Sequence, residues 1–383
     1  MAVLNEEQQM LKDMAADWAR ERMPVTALRS LYDHGGGGRA DSIGYDPEAW
    51  AEMAQMGWTG ILAPQDHGGS DFGYLSLGLI LEEMGKTLAA SPLLSSALVA
   101  VSALRMGGDD AQQARWLPGL ADGSVIGTLA LDEGPHHAPE RLALAATPSG
   151  DGWTLSGIKR PVQDGMVAHL AIVAAHTSGA PGVRDGITLF LVDTAAPGLT
   201  RTPLDQIDAR LPATFTFDKV IVSPDAVLGE VGQGADLLDA LRDRAAVGIA
   251  AEMLGSASQA FDTILDYLRT RVQFGAIIGS FQALQHRAAC LFGELQLTRS
   301  AVELALVAID EGDTALPALA SLAKATAGDT LHAISSQMVQ LHGGIGMTHE
   351  HDAGLYLKRA RVAEQCYGST AWHRERWARL NGY

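Results

Sequence analysis

Cysteine is almost missing from this chain: Cys290 and Cys366 are the only two in 383 residues. A disulfide framework is thereby excluded, and a reducing compartment fits better. Positive charge is also scarce. Lys and Arg number 28 against 45 Asp and Glu, a net charge of −17. That excludes non-specific nucleic-acid binding, which needs cations to displace condensed counterions. It still permits an anionic ligand, because a few local Arg or Lys side chains hold phosphates inside an acidic protein. No uninterrupted apolar run reaches the roughly 18 residues of a membrane span. Met1 to Gln9 holds neither a basic residue nor an apolar signal core, so the expectation is a cytoplasmic protein without membrane association.

What is present is ordinary globular composition, 47% hydrophobic and 19% charged, in a chain long enough for two or three domains. Three regions differ in pattern. Residues 1–123 read as a helical domain: Asn5 precedes Glu6 and Glu7 as an N-cap before acids that suit a helix dipole, and Pro47–Met56 and Leu75–Leu88 show helical spacing. Gly35 to Gly38 reads as a loop, since no strand precedes it and no Lys-Ser/Thr follows. Residues 124–231 read as a small antiparallel β barrel or sandwich, with strands over 153–157, 169–175, 187–192 and 215–222. A lone polar residue there, such as His169, reads as a surface or core-edge position. Residues 232–383 read as a four-helix bundle. Leu254, Ala257, Phe261, Ile264, Leu265 and Leu268 form one apolar face, and 286–311, 315–341 and 350–380 follow the same rule. The fold class is therefore α+β.

Two stretches of the last region carry chemistry. One is Arg271-Val272-Gln273-Phe274-Gly275, running on through Ile278 to Phe281-Gln282-Ala283-Leu284-Gln285-His286. The other is Gln340-Leu341-His342-Gly343-Gly344-Ile345-Gly346-Met347-Thr348. Arg offers a fixed fork of donors for phosphate oxygens. Glycines let backbone approach a ligand closely and leave N–H groups free to point at it.

Together these stretches resemble the flavin-binding signatures of the acyl-CoA dehydrogenase family. The whole chain is similar to its bacterial branch acting on bulky or ring-containing acyl-CoA substrates, such as steroid side-chain intermediates. The resemblance implies FAD as cofactor, an acyl-CoA substrate, electron-transfer flavoprotein as acceptor, and assembly into tetramers. In that family both motifs reach across a subunit interface. Arg271 and Phe274 would then meet the pyrophosphate and adenine side of a neighbour's FAD. Gln273, Ile278, Phe281 and Leu284 belong to the same segment, and Gln340, Leu341, Gly343, Gly344 and Ser369 complete the implied cofactor contacts.

The implied reaction needs a carboxylate to remove an α-proton while hydride leaves the β-carbon, and a hydrogen-bonded thioester oxygen. Most of the family carries that carboxylate just before a Gly-Thr or Gly-Ser. The matching stretch here is Cys366-Tyr367-Gly368-Ser369, so a phenol of ordinary pKa about 10 stands where the base is expected. A minority of the family keeps the glutamate on the first bundle helix, at the position of Ala245 here. Asp243 is rotated about 200° from that position and reads as a solvated acid. Glu252 shares the face of Ala245, about 10 Å along the axis. It reads as a buried or interface salt bridge, and it is also the first candidate for a relocated catalytic base. Glu364, one turn before Tyr367, is a further candidate.

The resemblance also places an intrachain flavin cradle, Thr-Glu-Pro-Gly-x-Gly-Ser-Asp in the family, at Leu131-Asp132-Glu133-Gly134-Pro135-His136-His137. A later Trp-Ile-Thr corresponds to Pro161-Val162-Gln163. Both are altered. Adjacent histidines point apart, so His136 and His137 read as a metal-free loop. The pattern implies one subunit of an α2β2 heteromer that completes a homologous partner's flavin site. The alternatives are an active homotetramer with a relocated base, and a flavin monooxygenase or non-catalytic protein on the same scaffold. The small residues Ala245, Ala246, Gly248, Ala250 and Ala251 suit either a roomy cavity or close helix contact.

Overall fold

A computed structural model describes residues 4–34, 44–180 and 182–383. It is α+β, with N-terminal helices, a central sheet and a C-terminal helical bundle. Gly35 to Gly38 lies outside the described residues. The chain divides into two compact units. One comprises Met1–Ser30, Tyr74–Ala89 and Ala246–Tyr383; the other comprises Leu31–Gly73 and Ala90–Ala245.

The first unit is helical. Helix α1 (Glu6–Arg22) starts in a capping box, with the Asn5 side chain accepting from the Gln8 N–H and the Gln8 side chain reaching back. Helix α2 (Val25–His34) begins in this unit. Helix α4 (Tyr74–Lys86) is buried over nearly its whole length. It crosses the C-terminal part of α7 (Ala235–Thr270) at very short range. A Cβ on Gly85 would stand 2.0 Å from the Glu252 carbonyl oxygen, and one on Gly255 would stand 1.7 Å from that of Glu82. Gly85 of α4 and Gly255 of α7 thus permit this close helix contact. Helices α8 (Gln282–Glu311) and α9 (Leu316–His342) follow. The expected last helix is two, α10 (Ala353–Gln365) and α11 (Thr370–Leu380), broken at Cys366–Ser369.

A buried carboxylate ties three of these helices together. Glu82 on α4 accepts from Arg299 of α8 at 2.7 Å and from Lys12 of α1 at 3.1 Å. Burial alone would raise its pKa, but the Arg299 and Lys12 charges outweigh burial and hold it below the ordinary value.

The second unit holds α3 (Pro47–Gln55), a π-helical stretch Leu94–Ala100 continuing into α5 (Val101–Gly107), and α6 (Asp110–Ala121). It also holds the sheet. The strands are β1 (Gly127–Ala130), β2 (Ala145–Ser149), β3 (Gly152–Val162), β4 (Leu170–His176), β5 (Ile187–Asp193), β6 (Leu199–Pro203), β7 (Ala213–Val222) and β8 (Val227–Leu228). Their order is β6-β7-β3-β2-β4-β5-β8, with β1 also on β4. The sheet is open among the described residues and not wholly antiparallel, unlike the expected barrel or sandwich. Strand β1 runs parallel to β4 over Gly127–Ala130 and Leu170–Val173, because a crossover separates them in sequence. Phe190, Phe215, Phe217, Leu155 and Val173 form its core.

Candidate functional site

The Arg271 segment leaves α7 and turns back as a two-residue hairpin between β9 (Val272–Gln273) and β10 (Ala276–Ile277). The turn residues Phe274 and Gly275 have φ of 53° and 78°. Positive φ at both central positions makes the tight turn that suits paired strands, but it disfavours a bulky side chain. Phe274 nevertheless occupies it and stands 93% exposed. Its neighbours Arg271, Val272, Gln273 and Ile277 are exposed too. Ile278 is buried, Leu284 is half-buried, and the half-buried Phe281 meets the Phe274 ring edge-on at 6.3 Å.

The second motif ends α9. Gln340 is exposed, Leu341 buried, and the chain turns at Gly343, whose φ is 63°. A Cβ on Gly343 or Gly344 would meet nothing within 4 Å, so these glycines line open surface. Ile345 and Met347 beyond them are 47% and 77% exposed. Tyr267, just before the first motif, packs its ring against His342 in a tilted contact, with centroids 4.3 Å apart. That contact brings both motifs to one end of the bundle, where exposed apolar side chains, an arginine and open glycine backbone coincide. This half of the site fits the anionic and adenine parts of a nucleotide cofactor.

The Cys366–Ser369 break is rigidly held. Lys324 of α9, fully buried, donates 2.9 Å hydrogen bonds to the carbonyl oxygens of Glu364 and Gly368. Burial lowers its pKa to about 8, while Cys366 and Glu364 oppose the shift. His373 donates through Nε2 to the Tyr367 carbonyl at 3.0 Å, and Ser369 caps α11 by accepting from the Trp372 N–H. Tyr367 itself has φ of 57° and is 9% exposed. The clamp on this loop is therefore intact, and the side chain it carries is a phenol.

Neither acid near these elements is free of a cation. Glu252 is 4% exposed and accepts from Arg359 Nε at 2.9 Å. Glu364 lies 3.5 Å from His332 and 3.8 Å from Arg361. Asp243, expected in solvent, is 3% exposed. The reason is that α7 is buried on nearly every side there, and Arg242 through Ile249 include only one half-buried residue.

The loop after β1 is closed on itself. The Glu133 carboxylate accepts from the Ala143 and Leu144 N–H groups at 2.8 and 2.9 Å and from Lys159 Nζ at 2.6 Å. Lys159 is fully buried and also donates to the Leu131 carbonyl. Burial pushes its pKa down, against the pull of Glu133. Asp132 pairs with His137 at 2.9 Å. Val162 is buried in the sheet core, and the Gln163 carbonyl accepts from Thr128. This segment turns its polar groups on one another and adds carboxylates, which suits a flavin pyrophosphate poorly. No metal-binding group of three His, Cys, Asp or Glu occurs among the described residues. No helix among them is long and apolar enough to cross a membrane.

Sequence reasoning missed Lys324, Lys159 and Arg359. The available signal was a lone cation among small or apolar neighbours, as with Lys324 between Ala323 and Ala325.

This arrangement defines a flavoprotein-type oxidoreductase scaffold, and sequence comparison fixes its family. Residues 5–124 match the acyl-CoA dehydrogenase N-terminal domain, and residues 232–380 match the acyl-CoA dehydrogenase C-terminal domain. The chain is 31% identical to acyl-CoA dehydrogenase IpdE2 of Mycolicibacterium smegmatis, over 95% of this chain and 96% of that one. A solved variant of the steroid ACAD Tcur3481-Tcur3483 is 30% identical with a TM-score of 0.87, covering 98% of each chain. The ChsE4-ChsE5 complex from Mycobacterium tuberculosis gives 25% identity and a TM-score of 0.88, covering 100% of each chain. The chain belongs to the acyl-CoA dehydrogenase family, whose members are FAD-binding oxidoreductases.

Proposed function

We propose that this chain is one subunit of a heteromeric, FAD-dependent acyl-CoA dehydrogenase acting on bulky, steroid-type acyl-CoA thioesters. The observation that carries the proposal is the contrast between its two half-sites. The bundle end presents Arg271, Phe274, Gln340, Gly343 and Gly344 outward, while the loop after β1 is sealed by Glu133 and Lys159. Tyr367 stands on a fully braced loop where a carboxylate is required. The two-component names of the similar Tcur3481-Tcur3483 steroid ACAD and ChsE4-ChsE5 complex support a two-chain assembly for relatives of this protein.

In this reading Arg271 binds the pyrophosphate of FAD held mainly by the partner. Phe274 leaves its strained turn exposed so that it can bury against that cofactor and its subunit, and the Gly343 and Gly344 backbone lies along it. When bound, FAD supplies the hydride acceptor. The exposed Phe292, Leu297 and Leu304, at 53%, 65% and 52% exposure along α8, provide apolar surface for the homologous partner. Proton removal from the substrate falls to a carboxylate of that partner. An electron-transfer flavoprotein would serve as the acceptor of the electrons.

The test is to express the chain alone and together with a homologue that retains the carboxylate and the flavin-cradle sequence, and to assay desaturation of a steroid-chain acyl-CoA. Turnover is expected only in the co-expressed pair. Full turnover by this chain alone would overturn the proposal and favour a homomer with a base of its own.

A further inference from the structure

The sheet-containing unit carries a place with convergent chemistry of its own. An open cavity of about 510 Å³ is lined by Tyr45, Trp116, His169, Asp193, Thr194 and Arg201, with Met166 to Ala168 as floor. Trp116 and Asp193 also line a smaller neighbouring cavity of about 260 Å³ that contains Arg115. The Arg115 guanidinium lies 4.7 Å from the centre of the Trp116 ring, which holds the indole in place.

Each polar group is constrained. One Arg201 nitrogen donates to the carbonyl oxygens of Gly165, Met166 and Ala168 at 3.2, 3.1 and 2.9 Å. Those bonds fix the guanidinium plane and leave its remaining N–H groups without a hydrogen-bond partner among the described residues. No carboxylate makes a salt bridge with Arg201 among them either. His169 accepts the Ile126 N–H through Nδ1 at 3.0 Å. A backbone N–H can only donate, so the ring proton is confined to Nε2 and the exposed imidazole offers a donor. Asp193 uses one oxygen to accept from the Ala195 N–H at 2.8 Å, leaving acceptor capacity at the rim. Two aromatic rings, a fixed cation, a fixed neutral donor and one carboxylate therefore share one cavity.

We propose that this cavity is a binding site for a nucleoside monophosphate, or for the same group at the end of a larger molecule. Arg201 and the His169 Nε2–H take the phosphate, the Trp116 ring takes the base, and Asp193 accepts from ribose hydroxyls. The cavity volume falls in the range of small-molecule sites. The carboxylate explains why a bare inorganic anion is a poorer match: it opposes an anion alone but bonds the hydroxyls of a nucleotide.

The test is isothermal titration of the chain alone, with and without added FAD, using AMP, adenosine, ribose 5-phosphate and inorganic phosphate as probes. AMP is expected to bind with Kd below about 1 mM, and each fragment at least about tenfold more weakly. Trp116→Leu and Arg201→Gln are each expected to weaken AMP at least about tenfold. Trp116→Leu is the independent arm, since Arg201 also holds the 165–168 backbone. Phosphate binding as tightly as AMP, no AMP binding at 10 mM (about 3 kcal/mol), or affinity unchanged in the Trp116 variant would each overturn the proposal. So would AMP binding that disappears when FAD is added.

Discussion

Removing the Glu252 carboxylate separates a structural acid from a catalytic one. Glu252 and Arg359 have side chains 5% and 4% exposed, joined at 2.9 Å. Deleting one member of such a pair removes the closest counter-charge of the other inside the core, a loss of about 3–5 kcal/mol. Glu252→Leu should therefore lower unfolding free energy by that amount. Replacing both members by apolar residues of similar volume is nearly neutral, so Glu252→Leu combined with Arg359→Met should recover most of the loss. The two single changes together should therefore cost more than the double change, and that excess is the coupling of the pair. Chemical denaturation followed by helix ellipticity reads all four proteins. Glu252→Gln, which keeps the volume, should cost about 1–3 kcal/mol and should leave turnover of the heteromer standing. The structural reading fails if Glu252→Leu stays within about 0.5 kcal/mol of the parent, or if Glu252→Gln abolishes turnover with flavin still bound.

Three further outcomes follow from other contacts. Lys324 has its pKa lowered from 10.5 to about 8 in the folded chain, so between those values the unfolded chain binds the extra proton. Stability from this group therefore rises with pH across that window, by about 3 kcal/mol in full. A pH series from 8 to 10 on the parent and Lys324→Met should diverge in that sense, and parallel curves would refute it. Gly255→Ala places a Cβ 1.7 Å from the Glu82 carbonyl oxygen; overpacking of about 1–3 kcal/mol should exceed the helix-propensity gain of about 1 kcal/mol, read as a lower melting temperature, and a rise would contradict the close crossing. Phe274→Gly relieves a side chain that is 93% exposed at φ 53°. The isolated chain should stay within about 1 kcal/mol of the parent while the heteromer loses FAD on gel filtration; full retention would remove Phe274 from the cofactor site.

Local signals carried much of this structure. The Asn5 cap and the apolar spacing of α4 depend on neighbours a few residues away, and both are present in the fold. Strands β3, β4, β5 and β7 are long and rich in β-branched or aromatic residues, so their pattern is self-contained. Strands β1, β2, β6 and β8 span between two and five residues, too few for a period to show. The parallel pairing of β1 with β4 depends on a crossover, not on a turn signature. The break at Cys366–Ser369 was hidden because its cause is tertiary: Lys324 reaches it from 44 residues away in sequence. Arg359 likewise meets Glu252 across 107 residues. The Arg271 and Gln340 segments could be placed at helix ends from sequence, whereas the exposure of Phe274 and the sealing of Glu133 by Lys159 depend on tertiary packing.

The central claim is that this chain completes a partner's flavin site and holds none in its own sheet domain. It is tested most directly by counting flavin per polypeptide in the purified heteromer, using flavin absorbance and amino-acid analysis. The account predicts one FAD for each pair of unlike chains and none on this chain alone. One FAD on every chain, this one included when purified by itself, would contradict it.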